Sequence, residues 1–457
     1  MRHALLVLLI LTGAGPALGQ RLLPLVENGP AADRLNVVVV AEGYTGAQEA
    51  AFQDDAGAFL DDLFQAPPYD AYAPYFNAYG LFAASAESGA DHPARNLFRD
   101  TYFDAYYDCA GIARLICLGG GGHSRLNTLL ADLMPEYDLV LVLVNDPEYG
   151  GSGGQFAISS THPSASEIAI HELGHSFAGL RDTYESGGLP PAEGPNATAE
   201  TRRTHIRWTH WIDASTPLPT PEIQAFAGDA GLFEGAVYTP TGWYRPRLEC
   251  KMRSLGQPFC EVCTEYHIAA IYDRLSPVED YAPAAPALVV EEGAVELRVT
   301  PRAPALHALA VQWYVDGAAV AGATGTVFTV EAASLPAGPV TVEARVTDPT
   351  PLVRDALLLP LLEDRVVWEV RRGAPVPAAP VLAAPEDGVP AGGVEPTFAW
   401  QAVPGAEAYH LQVAADSTFA LAWYRLARAA GWTGDRQLNL RATDRAQGHA
   451  ADLPERA

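Results

Sequence analysis

Methionine and cysteine are scarce in this sequence, three and five in 457 residues. So few cysteines exclude a small domain held together by a dense disulfide framework. Stability must come from buried cores, and the length suits one large domain with smaller modules, because single cores stop growing near ~250–300 residues. Basic side chains are also few: 29 Lys and Arg stand against 55 Asp and Glu, a net charge of −26. With no Lys/Arg-rich stretch to neutralise phosphates, nucleic acid is excluded as the expected partner. Long hydrophobic runs are missing as well, so no transmembrane helix is expected. Residues 1–20 read as a secretory signal, with Arg2 and His3 ahead of a short apolar run and a small-residue site at Ala17-Leu18-Gly19. The mature protein is therefore expected to be soluble, and secreted or periplasmic.

Export permits disulfides. Cys109 and Cys117 are spaced to close a small loop, while Cys250, Cys260 and Cys263 form a second cluster with room for one bridge and a free thiol. A structural zinc on Cys250, Cys260, Cys263 and His267 has acceptable ligand types, but an oxidising compartment favours the bridge.

The first two-thirds of the chain alternates strand and helix patterns. Residues 35–40 are a continuous β-branched run, the pattern of a strand buried on both faces. Thr45 and Gln48 form a capping box, after which Phe52, Ala56, Phe59, Leu60 and Leu63 recur at helical spacing. Strands are expected at 75–84, 139–144 and 156–159, and a helix at 125–133. The glycine run 150–154 lacks the lysine and the strand-to-helix context of a phosphate loop. The fold class is α/β (α+β), with a mixed sheet and an active-site helix in a catalytic domain at 21–278. Residues 276–286, rich in Pro, Ala and acidic side chains, read as a linker.

Beyond it, short runs at 288–299, 310–315, 326–330, 340–346 and 366–370 between turn signals predict an all-β, immunoglobulin-like sandwich at 286–372, with Trp313 and Trp368 in its core. After a second linker at 374–380, residues 378–424 open a partial fibronectin type III-like module. Residues 425–457 lose their β-branched side chains and are expected to be a disordered tail that supplies no strands.

His171-Glu172-Leu173-Gly174-His175 carries the chemistry. Ser164 with Glu167 predicts a capping box for a helix over 165–178, and Gly179 a helix stop. On that helix the four-residue spacing puts both imidazoles on one face, where they reach a single Zn²⁺. Glu172 lies about 100° around from His171, placed to take a proton from a water that the zinc activates. A third protein ligand is required. Asp182 is favoured because Gly179 turns the chain toward it, with Glu185 and Glu234 as alternatives.

The run from His171 to Tyr184 resembles the active-site segment of the bacterial IgA-peptidase family of zinc metalloendopeptidases. The segments 149–154, 231–236, Cys250-Lys251-Met252-Arg253 and Phe259-Cys260-Glu261-Val262-Cys263 are similar to that family too. The resemblance implies a metzincin-like (zincin-like) endopeptidase acting on a protein or peptide, with Met252 as a Met-turn beneath the zinc histidines. In metzincins the third ligand lies six residues past the second histidine, which is Arg181 here, so the pattern is shifted by one. Thr183 departs from the family, where an acidic residue is expected. For substrate contact the candidates are Gly151, Gly153 and Phe156 along an edge strand, and Tyr244 near Glu234 on a cleft wall. The β-sandwich modules are expected to meet a surface or glycan partner. The alternative reading is a secreted adhesion or carbohydrate-binding protein with an inactive peptidase-like domain.

Overall fold

The computed structural model describes residues 19–185, 190–291 and 293–373, and beyond these 381–384, 397–401 and a few short strand pieces. The expected signal segment up to residue 18, the second linker and residues 440–457 lie outside the described residues. No helix among the described residues is long and apolar enough to cross a membrane. The chain divides into two compact units. The first comprises the chain up to Pro283 with Leu297–Phe328 and Glu343–Val367, and the second Ala284–Glu296, Thr329–Val342 and the chain from Trp368.

The first unit is built on a six-stranded mixed sheet. Its strands are β1 (Gln20–Val26), β2 (Leu35–Glu42), β3 (Phe76–Ala83), β4 (Leu139–Val144), β5 (Gly151–Ser152) and β6 (Ala157–Ser160), in the order β1-β3-β2-β4-β6-β5. The inner four run parallel, and β1 and β5 close the two edges antiparallel. All eight residues of β2 and all six of β4 are buried, as continuous apolar runs covered on both faces require. Side-chain alternation then sorts the core into two layers. Val37, Val39, Leu139, Leu141 and Leu143 face α1 (Glu49–Leu63), whose buried side chains are the five expected at helical spacing. Val38, Val40, Val140, Val142 and Val144 face α2 (Gly122–Leu133) through Leu126, Leu129 and Leu130. Fully burying such side chains contributes about 1.5–3 kcal/mol each.

Two further helices join the first layer, α3 (Ala165–Ser176) through Ala169, Ile170 and Leu173, and α4 (Glu261–Tyr272) through Val262, Ile268 and Ile271. Residues 276–286, whose composition reads as a linker, contain a strand, Val278–Ala282, antiparallel to residues 298–301. Proline and acidic side chains do not prevent pairing along one edge of a strand.

Around residues 343–367 the first unit is tied together by buried carboxylates. Asp348 accepts hydrogen bonds from Tyr72 and Tyr272 at 2.7 Å each and pairs with His307 at 2.8 Å. Glu265, fully buried, accepts main-chain N–H groups of Arg354 and Asp355 at 2.6 and 2.8 Å.

The later part is all-β. The run 288–299 divides into Ala287–Val290 and Ala294–Pro301, because two glutamates and Gly293 break the alternation. Trp313 and Trp368 are both fully buried. Trp313 donates its indole N–H to the Gly325 carbonyl at 2.7 Å. In the second unit Ala287–Val290 runs parallel to residues 369–372. Within 425–457, expected without strands, Ala429–Ala430 pairs with Ala408–Tyr409 and Arg436–Asn439 with Thr397–Trp400. A main-chain ladder does not need β-branched side chains to form.

Candidate metal centre

The helix α3 carries His171 and His175 on one face, their ring centroids 5.1 Å apart. Its expected capping box does not form. Ser164 makes no side-chain cap, and Glu167 instead accepts from Lys251 Nζ at 2.6 Å and from the Gly256 N–H at 2.7 Å. Lys251 is the only lysine in the sequence, and this ion pair ties the segment carrying Met252 to the start of α3.

At the other end of α3, Gly179 adopts a left-handed φ of 67°, which costs a residue without a Cβ little. The chain doubles back there, and Asp182 arrives under the histidines. Its Oδ1 lies 3.0 Å from His171 Nε2 and 3.3 Å from His175 Nε2. Each histidine gives its other ring nitrogen to a main-chain carbonyl. His171 Nδ1–H donates to Lys251 O at 2.9 Å and His175 Nδ1–H to Leu180 O at 2.8 Å. These bonds fix the tautomer, leaving both Nε2 lone pairs pointed at Asp182. Tyr238 donates its hydroxyl to Asp182 Oδ2. It is delivered there by a two-residue turn in which Val237 and Tyr238 have φ of 46° and 62°, a strained conformation for non-glycine residues.

The donor set fits zinc. Ligands about 2.0–2.1 Å from a tetrahedral zinc lie roughly 3.3–3.4 Å from one another, close to the two separations observed here. The electrostatics agree. Burial by itself raises the Asp182 carboxyl, but the adjoining imidazoles of His171 and His175 outweigh it and hold the group well below the usual carboxylate range. Burial lowers His175, yet Asp182 and Glu172 push it up to about 9. A proton on His175 thus balances a charge that a divalent cation would balance better.

Glu172 stands beside the cluster rather than in it. Burial raises its carboxyl above the ordinary range, partly opposed by His171 and His175, raised further by Asp182 and lowered by Arg114. The main chain of Gly153 comes so close that an added methyl there would meet Glu172 Oε2 at 2.0 Å and His175 Cδ2 at 3.7 Å. Met252, fully buried, packs its sulfur against α3, 2.6 Å from where a Gly174 Cβ would stand, and its carbonyl accepts the Thr183 N–H at 2.8 Å.

The other candidates fall elsewhere. Glu185 pairs with Arg253 at 2.9 Å, and Glu234 is exposed and accepts the Gly242 N–H at 2.8 Å, so neither reaches the histidines. Gly151 gives its N–H to Arg114 O at 3.1 Å, Phe156 is buried in the layer under α2, and Tyr244 pairs its main chain with Thr198 at 2.8 and 3.0 Å. Thr183 is buried with an unpartnered hydroxyl, and its carbonyl accepts from Arg253 at 2.9 Å. Sequence reasoning missed the Lys251 and Leu180 carbonyls and the approach of Arg114 to Glu172. Main-chain acceptors leave no mark in the sequence, and Arg114 lies 58 positions upstream.

A helix carrying two histidines, with an acid converging on both imidazoles, brings together the ligand types of a metal centre. The family model IgA Peptidase M64 matches residues 23–226 and 222–271, more than half of the chain, and the protein belongs to that family. No curated protein matches the chain. Among solved structures, an endo-beta-1,4-mannanase from Thermotoga petrophila aligns at 12% identity over 74% of this chain and 65% of its own, with a TM-score of 0.15, a likeness too slight to bear on the fold.

Proposed function

We propose that the protein is an exported zinc-dependent endopeptidase with a zincin-like catalytic domain, in which His171, His175 and Asp182 hold the metal and Glu172 is the general base. One observation carries the reading: two Nε2 lone pairs and one carboxylate oxygen converge on the same point. When bound, zinc polarises the scissile carbonyl and lowers the pKa of water toward about 7. Glu172 takes the proton of the attacking water and returns it to the leaving amine. Burial raises its carboxyl above the ordinary range, which favours its holding the proton between the two halves of that transfer. The Lys251 and Leu180 carbonyls keep the imidazoles oriented, and Tyr238 fixes the carboxylate of Asp182.

Substrate is a protein or peptide. Gly153, whose main chain borders Glu172, is the residue best placed to meet it. An intact carboxylate between two oriented histidines favours this reading over an inactive domain in an adhesion protein. The test is Glu172→Gln assayed on a quenched-peptide library with zinc content measured alongside. Turnover is expected to fall about 10²–10⁴-fold with the metal retained, and near-wild-type turnover would sink the mechanism.

A further inference from the structure

The five cysteines behave in two ways. Cys109 and Cys117 are bonded to each other, whereas Cys250, Cys260 and Cys263 are all free and buried. Cys263 Sγ lies 3.5 Å from Cys260 Sγ and 3.6 Å from Cys250 Sγ, and all three sulfurs fall within 4.8 Å of one another. Sulfurs about 2.3 Å from a tetrahedral zinc stand about 3.8 Å apart, so the cluster already has nearly the edge length of a metal site.

Its surroundings suit thiolates. Cys260 is the N-cap of α4 and Cys263 lies in its first turn, where unpaired main-chain N–H groups and the helix dipole favour negative charge. The Cys260 N–H donates to Cys250 Sγ at 3.2 Å, and the Met252 N–H also donates to that sulfur. Hydrogen bonds from the other two cysteines hold the Cys250 thiol well below its ordinary range.

The three sulfurs are the convergent group, and a further donor type on the same helix is His267. His267 follows Cys260 and Cys263 by seven and four positions, on the same face of α4. It is fully buried, its Nδ1 is bonded to the Tyr69 hydroxyl at 2.9 Å, and its Nε2 has no hydrogen-bond partner. Burial drives its pKa down to about 3, partly opposed by Cys250, so the ring is neutral.

We propose that Cys250, Cys260, Cys263 and His267 form a second, structural zinc site. Binding releases the thiol protons of the three cysteines to solvent as the sulfurs become thiolate ligands; no oxidant or reductant takes part. Two positive charges on three thiolates leave a single negative charge, which the α4 N-terminus and the two main-chain donors offset. The site would act as a staple. Cys250 starts the segment whose Lys251 carbonyl orients His171 and whose Met252 carbonyl receives Thr183, so a metal here locks that segment onto α4.

The two metal sites can be separated without touching a cysteine. The His171→Ala, His175→Ala double variant of the full chain, purified with zinc and dialysed, is expected to keep about one equivalent of zinc, released by a thiol-modifying mercurial. Cobalt in its place should show thiolate-to-metal charge-transfer absorption. Cys263→Ser in the same background should remove both signals. A double variant that folds but holds no zinc would overturn the proposal. So would an intact mass showing a second disulfide beyond Cys109–Cys117. Neither result bears on Glu172 or on the histidine site, which the peptide assay tests separately.

Discussion

Glu265 and Asp182 are both buried carboxylates close to histidines, and their partners differ in kind. Glu265 meets donors on every side: two main-chain N–H groups on Oε1, and the Trp211 indole and His210 Nε2 at 2.9 Å each on Oε2. Burial raises its carboxyl, and those hydrogen bonds together bring it below the ordinary range. Nothing is left open, and its part is to hold residues 354–355 to α4. Asp182 instead faces two nitrogens whose protons sit on the far side of the ring, committed to carbonyls. Three acceptors converge there, and only a proton or a cation relieves them. A carboxylate closed by donors is structural; acceptors gathered around one point define a place for a metal.

The comparison breaks if Asp182 proves replaceable. Asp182→Ala is expected to lose the metal at this centre and with it essentially all peptide cleavage, more than 10³-fold, whereas Glu185→Ala keeps both. Metal analysis and the peptide assay on the two variants decide it, and the reverse pattern would transfer the third ligand to Glu185.

Glu265→Ala should act on stability alone. It leaves two main-chain donors and His210 without their buried acceptor, a loss of roughly 3–5 kcal/mol, read from the denaturation midpoint. Its folded fraction should still bind zinc and cleave peptide, and a folded but metal-free variant would blur the distinction between the two carboxylates.

Gly153→Ala sharpens the role of Glu172. The added methyl must push the carboxylate aside, and a displacement of that size is expected to lower kcat by about 10²-fold. Zinc content should stay at the wild-type level, because Glu172 is not a ligand. Unchanged kcat would mean that Glu172 does not work from the position seen here.

The smallest effect is one of pH. His175 must release its proton before it can ligate, and Asp182 raises its metal-free pKa to about 9. Asp182 stays ionised throughout, so only one proton is displaced. Apparent zinc affinity at this centre should therefore strengthen about tenfold per unit from pH 7 to 9 and level off above. Competition with a chromophoric chelator measures the slope. A flat profile over that window would show that His175 and Asp182 are not coupled.

Much of this was legible from residue patterns. The buried runs of β2 and β4, the five apolar positions of α1 and the histidine spacing on α3 each follow from one periodicity that nothing distant overrides. Asp182 was legible because Gly179 can turn the chain and few carboxylates follow it closely. What was hidden is tertiary. Glu167 reads as a capping residue, but a lysine 84 positions away captures it. Residues 278–282 read as a linker, but their partner strand lies 20 residues on and adds nothing to the local composition. The Lys251 and Leu180 carbonyls, which decide how the imidazoles point, could not be seen at all, because every residue carries one.

The most direct test of the centre is a crystal of the zinc-loaded protein examined by anomalous diffraction at the zinc edge. A peak bonded to His171 Nε2, His175 Nε2 and Asp182 Oδ1, with Glu172 beside it and unbonded, is the predicted result. A fully loaded crystal with no peak there, or with Glu185 or Glu234 completing the site in place of Asp182, would contradict it.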